Sequence, residues 1–328
     1  MKLLPRFDEQ GRPVRPEPVA TRSRLMLEVA SVLAMDDDWP YRQVDVRLRE
    51  QGGESWRVNL FASDAPGGIE AVAAGQADVA IVNPSALLTL AVRGSGPFRQ
   101  PLPLRAIAVI PSYDQLALAV TAQTGLATLA EIRERRAPLR VSLRGQRDHS
   151  VHLVTQQVLA TAGFGIEDIA AWGGQIRYDR GLPDVPSRLG AVERGEVDAI
   201  FDEAVGVWVE RAAQLGMRLL PLDETALRHL EGLGFRRDAI TRAEYPSLPA
   251  DVPALDFSGF AVFTRANAPD ELIRAFCAAL EAGKARIPWE GEGPLPLDRM
   301  CRDTPEGPLD VPLHPAAERF WRERGYLA

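Results

Sequence analysis

The chain has 328 residues, of which 46% are apolar and 25% charged, the composition of an ordinary globular protein rather than a disordered, collagen-like or disulfide-dense one. At about 150 residues per domain this length fits two domains or one large interrupted one. Thirty-eight basic residues against 45 acidic ones leave a net charge of -7, which argues against a broad phosphate-neutralising surface and so against nucleic acid as a partner.

The first 20 residues carry four prolines (Pro5, Pro13, Pro16, Pro18) and read as an irregular arm. Leu25, Leu27, Val29, Ala30, Val32 and Leu33 then give a helical apolar face behind possible caps at Thr21 or Ser23. Val44, Val46 and Leu48 alternate with polar residues, as do Trp56, Val58 and Leu60 after Gly52-Gly53, predicting two strands.

Next comes the most informative pattern. Ala71-Val72-Ala73-Ala74-Gly75-Gln76-Ala77-Asp78 is followed by the apolar run Val79–Val82, then Asn83-Pro84-Ser85 and a helical pattern. The same order returns 120 residues later, in Ala191-Val192-Glu193-Arg194-Gly195-Glu196-Val197-Asp198, the run Ala199–Phe201 and Asp202-Glu203-Ala204. Each copy reads as helix, glycine cap, Asp, buried strand and a polar loop opening the next helix, an internal repeat that predicts two similar α/β lobes. Asp78 and Asp198 precede their strands, so both are expected as turn or capping residues at the far end from any cleft.

Between the copies, Ala106–Ile110 and Leu116–Val120 read as strands around Pro111-Ser112-Tyr113, the second a candidate crossing between lobes. Leu139–Leu143 is a strand leading through Arg144-Gly145-Gln146-Arg147-Asp148-His149-Ser150 into a helix that ends at Gly163. Phe260–Phe263 is the second candidate crossing, and a helix starts near Asp270 with Leu272, Phe276 and Leu280 inward. Seven prolines between Pro288 and Pro315 predict a long surface wrap before a short final helix from about Ala316. The expected division is lobe 1 over residues 1–118, lobe 2 over 119–258, and a return to lobe 1 with a C-terminal wrap over 259–328.

In open α/β sheets ligands bind beyond the carboxyl ends of strands, where helix N-termini present free N–H groups. The loops meeting that condition are 63–68, 83–85, 144–150 and 202–205. They offer N–H donors, hydroxyls at Ser63, Ser85 and Ser150, and guanidinium groups at Arg144 and Arg147, donors suited to a small carboxylate, while Glu203 favours an ammonium or hydroxyl on the ligand. Ser85, Ser150 and Asn83 also read as simple helix caps, and Arg147 as a solvated charge.

His149 and His152 stand at i and i+3 without a third ligand at metal spacing, and Cys277 and Cys301 lack a CxxC spacing, so no metal or cofactor is expected. Cys277 sits at helical spacing among Ile273, Phe276 and Leu280 and reads as a buried hydrophobe. The chain contains no G-x-S-x-G elbow, no phosphate-loop lysine and no G-x-G-x-x-G, so the common hydrolase, nucleotide and dinucleotide readings lack their residues.

The ending Pro312-Leu313-His314-Pro315-Ala316-Ala317-Glu318 through Gly325 resembles that of the TAXI-type substrate-binding receptors of TRAP transporters, NMT1-like proteins with the two-lobed type II periplasmic-binding-protein fold. The segments Pro103–Ala108 and Val141–Ser150 and the Gly-x-x-Asp turns also look like that family's, and the resemblance spans about Ser63 to the C-terminus. It implies a non-enzymatic protein that closes on a small carboxylate or amino-acid-like ligand, anionic or zwitterionic, for uptake through a TRAP-type membrane permease or for sensing. It points to Gly67, Gly68, Asn83, Ser85, Tyr113, Ser150 and the Asp202–Val205 turn, with Gln146, His149, Asp202, Glu203 and Ala204 in the loops that complete the expected site, and to His314 as a structural cap.

The sequence departs from the family in its first ligand loop, where Ile69 follows Gly67-Gly68 in place of serine, and in the charged loop 144–150. Residues 1–20 show no export signal and no run of 18 apolar residues occurs, so the chain as written is expected to be soluble and cytoplasmic without membrane insertion, or periplasmic if an export signal is missing. The rival reading is a cytosolic enzyme on the same fold, of decarboxylase or pyrimidine-forming type, with His149 or Glu203 as acid or base.

Overall fold

The computed structural model describes residues 6–7, 13–14, 25–27, 29–31, 43–49, 57–63 and 65–328, and divides into a unit over 1–44 and a compact unit over 45–328. In the first, β1 (Arg6–Phe7) pairs with β2 (Pro13–Val14), a two-residue antiparallel ladder within the stretch expected to be irregular. Residues 25–27 and 29–31 are helical; the caps expected at Thr21 and Ser23 and the Gly52-Gly53 turn lie outside the described residues.

The compact unit is mixed α/β with two sheets, hence two lobes. The first sheet has the order β3 (Gln43–Arg49), β4 (Arg57–Ser63), β5 (Val79–Val82), β14 (Phe260–Arg265), β6 (Leu104–Ile110). The second runs β12 (Arg237–Ile240), β13 (Val252–Asp256), β7 (Gln115–Thr121), β10 (Ala199–Asp202), β8 (Arg140–Arg144), β9 (Gln175–Asp179), with β11 (Met217–Leu219) also on β7. In each lobe the repeat supplies a buried strand parallel to its neighbour: β5 on β4 and β10 on β8. Near-continuous apolar runs form these strands because helices cover the sheet faces.

The Gly-x-x-Asp turns work alike in both copies. Gly75 and Gly195 take φ of +75° and +69°, a left-handed conformation that closes a helix at no steric cost to glycine. Asp78 then accepts the Asn59 N–H at 2.9 Å and Asp198 the Arg140 N–H at 3.0 Å, each pinning the start of the neighbouring parallel strand. Arg265 and Arg140 clamp the same carboxylates at 3.1 and 2.7 Å.

The chain passes between lobes at 111–114 and 257–259, a few residues before the two strands expected to cross; β7 and β14 each lie within one sheet. The two crossing segments bond to each other: Phe257 N–H donates to Asp114 O at 2.8 Å, Gly259 N–H to Ser112 O at 2.9 Å, and Asp114 N–H to the Ser258 hydroxyl at 3.0 Å.

Helices α1 (Gly67–Ala73) and α2 (Ala86–Arg93) follow β4 and β5; α2 is apolar apart from Thr89 and Arg93, and Ala86 through Ala91 are all buried. Such a helix needs cover on all faces. Lobe 2 contributes α3 (Leu129–Glu134), α4 (Ser150–Thr161), α5 (Ile166–Ala171), α6 (Leu189–Glu193), α7 (Val205–Gln214) and α8 (Glu224–Leu233). One apolar cluster joins α2 to α4 and α8, and just beyond α2 the Ser95 hydroxyl donates to Leu233 O at 2.5 Å, so the lobes touch along this flank. Arg236 adds a charged tie, donating to Asp310 at 2.7 and 3.0 Å and to Asp303 at 2.8 Å.

The return elements are α9 (Asp270–Gly283), α10 (Leu297–Met300) and α11 (Pro315–Glu323). The proline-rich stretch is not a surface wrap throughout: Leu295, Leu297, Met300, Cys301 and Val311 are buried, and Ala106 of β6 bonds Pro312 O and accepts from His314 N–H. Proline blocks long regular elements, while the interspersed apolar residues still demand burial. His314 caps α11, its Nδ1 accepting the Ala316 N–H at 3.2 Å. Cys277 is fully buried and its thiol is pushed up to about 12 by burial. Among the described residues no helix is long and apolar enough to cross a membrane.

Candidate functional site

The loops after β5 and β10 reach the two crossing segments, and Arg144 at the end of β8 reaches the loop after β10, but the lobe 1 and lobe 2 sides differ in kind.

On the lobe 1 side the polar residues grip backbone. The Asn83 amide donates to Phe257 O at 3.3 Å and Gly259 O at 3.2 Å, and both the N–H and the hydroxyl of Ser85 reach Ser258 O at 3.1 Å. Ser85 stands at the N-cap of α2 but caps nothing with its side chain; it holds the crossing segment instead. The Ser63 hydroxyl accepts the Ala65 N–H at 3.1 Å within its own turn. Gly67 and Gly68 open α1; Gly68 is buried against Phe61 and Ala80, whereas Gly67 has open space where a side chain would stand. The half-exposed Tyr113 donates to Asp238 at 3.3 Å, and burial together with that carboxylate pushes its phenol upward.

On the lobe 2 side the polar residues form a charged network. Arg144 ends β8 and Asp202 ends the adjacent parallel strand β10, so the strand ends bring the two side chains together; Arg144 Nη2 donates to Asp202 Oδ1 at 2.9 Å and also to Glu203 Oε1. Asp202 is fully buried, and its other oxygen accepts from Arg188 at 2.5 Å. Arg188, itself wholly buried, also donates to the Ser142 hydroxyl at 3.0 Å and to Gly181 O at 3.1 Å. Burial opposes ionisation of Asp202, but the two guanidinium groups overcome it and hold the carboxyl below its usual range.

The third arm reaches the crossing segment. Ala204 has φ of +57°, and this left-handed turn aims its N–H and that of Val205 at the Asp114 carboxylate, at 2.6 and 3.0 Å. Asp114 therefore occupies the N-terminus of α7, the place where the helix dipole favours an anion. Burial pushes both Asp114 and Glu203 upward, Glu203 the further because Asp202 and Asp114 add their charge to it, while Glu203 and three backbone N–H groups hydrogen-bond to Asp114 and hold it down. Between the two, the stronger upward push falls on Glu203 and favours its protonated form over that of Asp114.

The loop 144–150 closes the wall. A side chain at Gly145 would stand 2.9 Å from the Asp179 carbonyl, so glycine lets β9 approach. His149 is the cap of α4, its Nδ1 accepting the Val151 N–H at 3.1 Å; burial and Arg144 push its pKa down to about 3. Ser150, expected as the cap, is instead the buried first residue of the helix. Gln146 contributes its carbonyl, which accepts from His152 Nε2 at 2.9 Å. Arg147 stacks on Tyr178, 4.3 Å from the ring centroid.

Sequence reasoning did not single out Asp114, Arg188, Ser142 or Ser258. Asp114 carried a faint signal, an acidic residue in the turn between two strands; Arg188 sits in an irregular segment and carried none.

Residues 57–325 match the NMT1-like family. The chain belongs to the NMT1-like family. This NMT1-like chain is similar to three solved structures, each at low identity. One is the substrate binding protein of an amino acid ABC transporter, 14% identical with TM-score 0.29 over 68% of this chain and 71% of that one. Another is a glycine betaine/L-proline-binding protein of an ABC transporter from Borrelia burgdorferi, 10% identical with TM-score 0.36 over 63% and 64%. The third is a TctC solute binding protein from Polaromonas, 15% identical with TM-score 0.34 over 62% of each chain. The chain thus spans under two thirds of the length of the latter two. No curated protein sequence matches it.

Proposed function

We propose that this NMT1-like chain is a non-enzymatic solute-binding protein whose lobes close over a small carboxylate or amino-acid-like ligand at the junction of the crossing segments. The observation that carries the reading is Arg144, a partly exposed guanidinium at a strand's carboxyl end, steadied from behind by a buried Asp202 that is itself held by Arg188. A steadied fork of this kind suits a carboxylate. Closure follows from differential affinity: a ligand touching both lobes stabilises the state in which both can reach it. Delivery to a TRAP-type permease, as in the TAXI receptors, is the transport form of this reading.

The enzyme reading keeps one supporting feature, a buried Glu203 whose carboxyl burial pushes upward, the kind of perturbed acid that general acid catalysis uses. His149 offers less, since its ring nitrogen is spent on the helix cap.

The test is a thermal-shift series on protein stripped of ligand through mild denaturant, with mono- and dicarboxylates, amino acids and sugars. A ligand at about 100 times its Kd adds roughly 2.7 kcal/mol and raises Tm by a few degrees. A saturable shift with one acid that mass spectrometry finds unchanged after hours supports the binding protein. Conversion of the acid selects the enzyme, and no shift with any acid removes the carboxylate site.

A further inference from the structure

Arg144 stands between two carboxyl groups of unlike character. Asp202 is completely buried, ionised, and also held by Arg188 and by the Glu203 N–H at 2.9 Å, so it is a fixed support. Glu203 also reaches Arg144 Nη2, with 13% of its side chain exposed, and burial together with the charges of Asp202 and Asp114 pushes its carboxyl upward, toward the neutral acid. Hydrogen bonds between two charged partners are roughly twice as strong as neutral ones, so an ionised ligand carboxylate outcompetes a neutral acid for the same guanidinium N–H.

Resting on the binding reading above, we infer that Glu203 is a built-in competitor for the ligand: its side chain occupies the Arg144 position that a ligand carboxylate takes, and a ligand binds by displacing it. Glu203 is then a specificity-determining residue that weakens every carboxylate by a common factor and admits those whose further contacts make up the difference. The exchange has a proton balance. Glu203 faces Arg144 on β8, Asp202 beside it, and Asp114 on the crossing segment, with the neutral His149 across from Arg144. Once displaced into cleft water its carboxyl returns to the ordinary glutamate range near 4.3 and loses its proton to the buffer at neutral pH, while the incoming carboxylate takes its place beside Arg144.

The experiment is isothermal titration calorimetry at neutral pH with acetate, succinate and L-alanine as probes, on the wild type, Glu203→Ala, Glu203→Ser and Arg144→Ala. Expected are Kd values about tenfold or more lower in both Glu203 variants, the size of a released charge-assisted hydrogen bond, and loss of binding in Arg144→Ala. Wild-type binding heats should differ between buffers of different ionisation enthalpy, because one proton is released, and those of the Glu203 variants should not. A residue that merely supported the fold would lower affinity on removal, so tightening separates the two roles. Folded Glu203 variants that bind a probe no better than wild type, or wild-type heats independent of buffer, overturn the competitor while leaving the binding protein standing. Failure of wild type and both Glu203 variants to bind any probe overturns the competitor and the carboxylate reading together.

Discussion

The two copies of the repeat are alike at one end of their strands and unlike at the other. At the entering ends Asp78 and Asp198 each accept a backbone N–H near the start of the neighbouring parallel strand and are each clamped by an arginine. At the leaving ends Asn83-Pro84-Ser85 holds a backbone segment with neutral groups, whereas Asp202-Glu203-Ala204 joins Arg144, Arg188 and Asp114 in a charged network. The entering end solves a structural problem common to both lobes, the start of a parallel strand pair. The leaving end faces the junction, and only there can the copies diverge without harm to the sheet.

The largest expected effect comes from breaking the charged half. Arg188→Met leaves Asp202 buried with half its support, and removing one partner of a buried pair costs about 3–5 kcal/mol; urea unfolding checks this, and a loss under 1 kcal/mol would show that water enters the network. The neutral half should be next, with Ser258→Ala losing about 1–3 kcal/mol because the Asp114 N–H is left without its acceptor. Asp78→Ala and Asp198→Ala test the shared end: similar losses of about 1–2 kcal/mol in both lobes confirm equivalence, and a several-fold difference breaks it. Arg140→Ala, at a largely exposed clamp, should stay within about 1 kcal/mol of wild type.

The buried carboxyls of the charged side also differ among themselves in pH response. Asp256 beside the crossing segment is raised by burial from 3.8 to about 6, and Glu203 is raised as well. A carboxyl whose pKa rises on folding adds stability at low pH that is lost as pH climbs through its folded value, so Asp256 withdraws its share between about 4 and 6. Asp202, lowered on folding, acts oppositely and withdraws its share only in strong acid. Asp256→Asn should flatten the unfolding free energy between pH 4 and 6; an unchanged slope would assign it elsewhere. The smallest effect is expected from Ala204→Gly, which relieves a left-handed alanine and should raise stability by about 1 kcal/mol or less, read as a small rise in Tm.

Much of the fold was legible because its signals are local. The apolar runs at Val79–Val82 and Ala199–Phe201, the glycine caps and the Asp turns are each contained within a dozen residues, and the repeat doubles their weight. The edge strands β9 and β12, and β13 beside β12, were not legible: none of them shows a sustained apolar run. The candidate site divides in the same way. Strand ends and helix starts can be counted along the chain, which placed Ser85, Arg144, His149 and Asp202–Ala204 at the junction; the partner of each side chain cannot be counted.

The sequence by itself determined a mixed α/β fold and the helix, Asp turn and buried strand repeated in each sheet, since periodicity, caps and turns act over neighbouring residues. Only the tertiary structure decided that Ser85 holds backbone, that Asp114 fills the N-terminus of α7, and that Arg188 lies buried behind Asp202. Those contacts join residues 173, 90 and 14 positions apart, and a buried charge takes whichever partner the packing brings within reach, because leaving it unpaired costs more than any local preference can offset.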